Sequence, residues 1–411
     1  MLGLRTGQSR AVALAASVIF AVAAASPALA DTAAPNANPP DTIGGTQLGY
    51  HHRTVTLGLG AGPLPKVWAE TWILADAATG AVLAQKSSHV QRAPASTLKM
   101  LTALAVMPNT EPTDKTIATK KAAYTYGSRV GLRPGKAYTM DQLWYAVFLP
   151  SANDAAIAVA QANGGVGKTL DEMNTIAYRL QARDTVARTP NGLDAPGQVS
   201  SAYDLALFAR AGMAMPEFST YAGASRAMFP DVRGKGEHPI YTTNRLLRHG
   251  YEGMTGVKTG FTTQAGRTYV GSATRGGRTL IVTLMGIHEA SETAARKLLD
   301  WGFANADKVS PIGQLVDALD PNDPNASPSG SPSGSPETSP SATASIEPSP
   351  MGSTQRRASS LVVTSDPPGV SLAVLWGAGF VAAGAGIASL VSRRRRHLNT
   401  PPDRTEPSDP A

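Results

Sequence analysis

The chain has 411 residues, 16% of them charged, a formal net charge of +7 and no cysteine. Lacking thiols, it has no disulfide framework, thiol nucleophile or cysteine metal site, so an ordinary hydrophobic core must hold the fold. Part of the positive excess sits in Arg5, Arg10 and the run Arg393 to Arg396; elsewhere basic residues are neither clustered on a helix nor interleaved with aromatics, which leaves nucleic acid no footprint.

Residues 1–30 carry Arg5 and Arg10, then an uncharged apolar stretch from Ala11 to Ala25, then Pro27-Ala28-Leu29-Ala30 ahead of Asp31. A short apolar core and a small-residue cleavage site predict a removable signal peptide, and hence export. Residues 31–66 are rich in Pro, Gly, Thr and Asn with little apolar periodicity, and read as an exposed extension. A globular pattern follows over 67–319. Thr71 to Asp76 and Ala81 to Gln85 flank Ala77-Ala78-Thr79-Gly80, a hairpin signal. Ser96 to Met107 is apolar at helical spacing and entered through Pro94. Thr139 to Leu149, Asp154 to Ala162, Gly167 to Ala182 and Ala202 to Met213 also read as helices. Val257 to Phe261, Thr268 to Ala273 and Arg278 to Met285 read as strands, with Arg275-Gly276-Gly277 as a second hairpin turn, and Ser291 to Phe303 as a closing helix. Strands at both ends with helices between predict an α+β domain, one antiparallel sheet flanked by helices.

From 320 to 368 the composition turns to Pro, Ser, Gly and Thr, an extended linker reaching about 150 Å at the polyproline rise. Val370 to Val391 carries no charge and spans about 33 Å as a helix, the thickness of a bilayer's hydrocarbon. Because nothing globular surrounds it, it reads as a transmembrane helix, with Arg393 to Arg396 and the tail 392–411 on the cytoplasmic side. The globular domain is then expected outside the cell, tethered to the plasma membrane.

Three short elements inside that domain can carry chemistry. Ser96-Thr97-Leu98-Lys99 puts a hydroxyl and an amine three residues apart, on one helix face. A serine hydroxyl needs a base to become a nucleophile, and a lysine serves only if its ammonium is disfavoured, by burial or by a second cation. Backbone N–H groups at the helix start also point toward a developing oxyanion. By itself this pattern fits a helix N-cap with a solvated lysine better. Ser151-Ala152-Asn153-Asp154, in a turn between two helical segments, offers a hydroxyl and an amide, and alone is likewise better read as an N-cap. In Val257-Lys258-Thr259-Gly260-Phe261-Thr262 the strand supplies the second cation in Lys258, a hydroxyl for a carboxylate in Thr259, and close backbone approach at Gly260. The Phe261 N–H completes an oxyanion hole with that of Ser96. Together, in this order and in an exported chain, the three outweigh the bland readings. No Gly-x-Ser-x-Gly elbow occurs in the globular part and His288-Glu289 has no second histidine four residues on, so no zinc helix and no metal or cofactor is expected.

Across Val67 to Val309 the chain resembles the low-molecular-mass penicillin-binding proteins, the D-alanyl-D-alanine carboxypeptidases of the type-5 group. The resemblance extends beyond the three motifs to Asn191-Gly192-Leu193-Asp194 and Ala202-Tyr203-Asp204-Leu205, in the family's order. It implies a β-lactamase/D,D-peptidase-like fold and removal of the terminal D-alanine from peptidoglycan stem pentapeptides. It implies Ser96 as acylated nucleophile, Lys99 as its base, Ser151 as proton relay, and Asn153, Lys258 and Thr259 as substrate-holding residues, with β-lactam antibiotics as inhibitors. The chain departs in two respects. Here the catalytic pattern runs straight into the linker instead of a second, β-rich domain, and Gly286 to Ser291 offers no arginine for the substrate carboxylate. A serine β-lactamase is disfavoured, because between Leu180 and Ala202 stand Asp184 and Asp194 but no glutamate to drive deacylation. A D,D-endopeptidase would use the same residues. A non-enzymatic wall-binding scaffold would be expected to have lost Ser96 or Lys99, and both are present.

Overall fold

A computed structural model describes residues 42–320 apart from Val232, Arg233 and Lys235. The signal peptide, most of the linker, the membrane span and the tail expected from the sequence lie outside the described residues. Among the described residues no helix is long and apolar enough to cross a membrane.

In chain order the strands are β1 (Arg53–Leu57), β2 (Ala69–Asp76), β3 (Ala81–Lys86), β4 (Lys115–Ile117), β5 (Ala137–Thr139), β6 (Arg226–Pro230), β7 (Glu237–Tyr241), β8 (Met254–Thr262), β9 (Gly266–Arg275), β10 (Arg278–Ile287), β11 (Val309–Ser310) and β12 (Gly313–Gln314). The helices that matter below are α1 (Lys99–Val106), α2 (Lys120–Ala123), α3 (Met140–Phe148), α4 (Asn153–Ala162), α5 (Val166–Arg179), α6 (Ala202–Met213), α7 (Pro216–Gly223), α8 (Arg245–Arg248) and α9 (Ser291–Asn305). The main sheet is antiparallel with order β11-β1-β3-β2-β10-β9-β8, β12 pairing with β3, while β4-β5 and β6-β7 form separate hairpins.

Strand alternation explains the layering. On β10, Leu280, Val282 and Leu284 belong to the core cluster under α9, whereas Ile281 and Met285 belong to the cluster containing α1, α4 and α6. A strand covered on both faces reads as a continuous apolar run, which is why the sequence shows Leu280 to Met285 without clear alternation. The α1 helix is buried on every side, as expected of a helix apolar all round, and it carries its one charged residue, Lys99, into that interior. The expected helices and long strands are found within a few residues of their predicted ends, and the small hairpins, α2, α7 and α8 were not foreseen.

One boundary is corrected. The stretch read as an exposed extension joins the domain from Thr42 onward. Leu48 is 1% exposed in the core, β1 pairs with β3 and β11, and Gln85 Nε2 donates to the carbonyls of Gln47, Tyr50 and His52 and to Thr54 Oγ1. Its attachment runs through backbone pairing, side-chain hydrogen bonds and a few scattered apolar contacts, the buried Leu48 and the partly buried Ile43, Val55 and Leu64, so it leaves little apolar periodicity to read.

Candidate active site

The nucleophile candidate is presented by a strained turn. Ala95, immediately before Ser96, has φ +50, and Ser96 lies in a short 3₁₀ segment, Ala95–Leu98, that leads into α1. The Pro94 carbonyl holds this turn by accepting hydroxyl bonds from Thr97 at 2.6 Å and from Thr268 of β9 at 3.0 Å. The sheet and the helical layer are thereby joined at the residue before the turn.

Three turns of chain converge on the amine of Lys99. Its Nζ stands 2.8 Å from Ser96 Oγ, 2.7 Å from Asn153 Oδ1 and 2.6 Å from the Asn191 carbonyl oxygen. The Asn153 amide is oriented by donation from its Nδ2 to the Tyr126 carbonyl at 2.8 Å, so its oxygen faces Lys99. The Asn191 carbonyl is placed by Gly192, whose φ is +76 and where a Cβ would press on the Ala95 carbonyl and lie 3.1 Å from Ser96 N. Burial first, then the charge of Lys258, hold the Lys99 amine well below the ordinary lysine range, against an opposing pull from Asp154. The Asp154 carboxylate itself accepts from the backbone N–H groups of Val130, Gly131 and Leu132, which ties the loop over the site to α4.

The arrangement of hydrogens follows. Asn153 Oδ1 and the Asn191 carbonyl can only accept. A neutral lysine amine has two N–H bonds and a lone pair; with both bonds given to these oxygens, the lone pair faces the Ser96 hydroxyl. The site therefore favours the uncharged amine by burial and aims it at the Ser96 hydroxyl, the arrangement a base for that hydroxyl requires.

Lys258 is also buried, and burial lowers it to about 7. Its Nζ donates to Ser151 Oγ at 2.8 Å and to the Thr259 carbonyl at 2.8 Å, and Ser151 sits at φ +61, a left-handed residue at the start of the α4 turn. Thr259 Oγ1 is 2.7 Å from Thr243 Oγ1. Gly260 passes so close to the nucleophile's turn that a Cβ there would lie 2.8 Å from Ser96 N and 3.0 Å from Ala95 Cβ. β8 is the edge strand of the sheet, open to an added strand.

Ser96, Ser151, Thr259, Gly260 and the exposed Phe261 thus line one cavity of about 410 Å³, with Lys99, Asn153 and Lys258 beside it. All the residues singled out from the sequence come together. Sequence reasoning missed the Asn191 carbonyl, Thr243, Ser128, Arg245 and Arg267, of which the last four line the same cavity or bond its wall. The Asn191-Gly192 pair gave a signal, since a glycine needing positive φ marks a close approach; the arginines gave none.

The family of D-alanyl-D-alanine carboxypeptidases is matched over residues 61–289. The D-alanyl-D-alanine carboxypeptidase DacB2 of Mycobacterium tuberculosis is 40% identical over 263 residues, 62% of this chain and 89% of that one. DacA of Escherichia coli is 33% identical over 265 residues, 61% of this chain and 64% of that one, so the chain spans just under two thirds of that relative. Among solved structures, a D-alanyl-D-alanine carboxypeptidase from M. tuberculosis superimposes with a TM-score of 0.58 at 38% identity, covering 64% of this chain and 99% of that one. A variant of a Streptomyces DD-transpeptidase gives 0.56 at 29% identity, covering 58% and 99%. The fold is therefore the α+β fold of the penicillin-binding proteins.

Proposed function

Because the chain belongs to the D-alanyl-D-alanine carboxypeptidase family, we propose that it removes the terminal D-alanine from peptidoglycan stem pentapeptides through an acyl-enzyme on Ser96. The observation that carries this reading is the Lys99 amine, buried, kept below its ordinary pKa and fixed between two carbonyl oxygens and the Ser96 hydroxyl.

The substrate lies along the β8 edge with its penultimate carbonyl over Ser96. Ser96 Oγ attacks as its proton passes to Lys99, and the N–H groups of Ser96 and Phe261 receive the oxyanion. Lys99 gives this proton up through Ser151, held by Lys258, to the departing amine of D-alanine, which leaves Lys99 neutral again. Water then attacks the ester as Lys99 takes its proton, and that proton returns to Ser96 Oγ as the acid leaves. Thr259 faces the substrate's terminal carboxylate, Lys258 holds Ser151 and the Thr259 carbonyl in place behind it, and Asn153 orients both Lys99 and the acyl part. β-Lactams enter the same path as strained acyl donors.

The protein is exported and held by residues 370–391 with its catalytic domain outside, a reading supported by the uncharged apolar run and the Arg393 to Arg396 cluster behind it. Incubation with a pentapeptide, a crosslinked peptide dimer and an amine acceptor, with products weighed, tests the reaction. Release of D-alanine from the pentapeptide is expected. Cleavage of the dimer alone would make the protein an endopeptidase, and transfer to the amine in place of hydrolysis would make it a transpeptidase. Ser96→Ala should abolish both D-alanine release and covalent penicillin labelling while the fold persists; labelling that survives in the folded variant moves the nucleophile elsewhere.

A further inference from the structure

We propose that Arg267 is the residue that binds the terminal carboxylate of the substrate and selects for a free C-terminus. The inference rests on the carboxypeptidase reading and assigns its missing cation. The segment 286–291 contains no arginine, and Lys258, the cation of the β8 motif, is buried and committed to Ser151 and to the Thr259 carbonyl.

Arg267 stands on β9 directly opposite Phe261 of β8, while Thr259 stands opposite Tyr269. In an antiparallel pair, directly opposed residues and those two positions away share a face. Thr259, Phe261, Arg267 and Tyr269 are therefore on one face, and all of them line the cavity that contains Ser96. Thr259 and Arg267 are diagonal neighbours on that face, a spacing that long side chains bridge. A terminal carboxylate lies one residue, about 3.3 Å in an extended chain, beyond the carbonyl that Ser96 attacks. The Thr259 hydroxyl and the Arg267 guanidinium, on the face these residues share in the cavity, are the two groups we assign to it.

The other arginine in the cavity, Arg245, is already engaged, its Nη1 2.9 Å from Glu292 Oε1. Among the described residues Arg267 is exposed and has no carboxylate within salt-bridge distance. With Arg245 neutralised, Arg267 is the uncompensated cation at the mouth of the site. A planar guanidinium also matches a carboxylate in two-pronged fashion, which a buried ammonium does not.

The test compares a D-alanyl-D-alanine pentapeptide with the same peptide bearing a C-terminal amide, using wild type, Arg267→Gln, Arg267→Lys and Arg245→Gln, with melting temperatures recorded for each. Wild type should prefer the acid. Arg267→Gln should raise KM for the acid and lower its kcat/KM about 10- to 100-fold, the value of a charge-assisted hydrogen bond, while turnover of the amide changes only a few-fold. Arg267→Lys should restore part of the preference, and Arg245→Gln should keep it. A folded Arg267→Gln that still prefers the acid as wild type does overturns the inference and leaves the carboxypeptidase reading standing, as does loss of the preference in Arg245→Gln alone. A wild type that releases no D-alanine from the acid overturns both.

Discussion

Gly192→Ala tests whether the approach of the 191–194 loop to the nucleophile's turn sets the base. Gly192 has φ +76, and a Cβ there would press on the Ala95 carbonyl oxygen and lie 2.6 Å from its carbon. Ordinary contact for such atoms is about 3.5 Å, so the loop must retreat by about 1 Å. Asn191 precedes Gly192 and its carbonyl accepts from Lys99 at 2.6 Å. The same retreat stretches that bond to about 3.6 Å, where no hydrogen bond remains. Lys99 then loses one of the two oxygens that aim its lone pair at Ser96, and a misplacement of about 1 Å in a reacting group can lower a rate by roughly 100-fold. Gly60→Ala is the matched control, because Gly60 has the same φ of +76 with no atom within 4 Å of an added Cβ. Both variants carry the left-handed backbone strain of about 1–2 kcal/mol, which lowers the melting temperature by a few degrees in a domain of this size. Only Gly192→Ala should slow covalent acylation by a fluorescent penicillin, followed by stopped flow, by about 100-fold. A folded Gly192→Ala that acylates within a few-fold of wild type would refute the reasoning, as would equal slowing in Gly60→Ala.

The remaining expectations concern the lysines, the ester and the recovered N-terminal segment. Acylation should rise with pH as Lys99 sheds its proton, because only the neutral amine accepts the Ser96 proton. Lys258→Ala should move that midpoint upward, since it removes a positive charge that lowers Lys99; a midpoint that stays or falls would deny the coupling. The penicilloyl ester should persist long after D-alanyl substrates turn over, because the lactam's leaving group stays attached to the acyl part and obstructs water. Intact mass after penicillin removal reads this directly, and return to the free mass within seconds would point to a β-lactamase. Leu48→Ala should lower stability to urea by about 2–5 kcal/mol, as for a buried leucine; a change near zero would restore the exposed-extension reading of residues 31–66.

What the amino-acid order determined by itself was the α+β architecture, the helices and long strands near their observed ends, and the three segments that converge at the candidate site. These are local properties: helical and strand periods, a hydroxyl and an amine one turn apart, and glycines at turns, all written in adjacent residues. Tertiary structure decided what periodicity cannot carry. The N-terminal segment from Thr42 joins the domain through backbone pairing with β3 and β11 and through Leu48, Ile43, Val55 and Leu64 at irregular spacing, a signal too sparse to read along the chain. The third partner of Lys99 is a main-chain oxygen 92 positions away, and every residue has such an oxygen, so only the folding of the 191–194 loop against the 94–96 turn selects it. Nothing local set Arg245 apart from Arg267: the sheet register puts Arg267 diagonal to Thr259 on one face, and the packing of α8 beside α9 gives Arg245 the carboxylate of Glu292, because contacts between elements, not order within them, fix which groups meet.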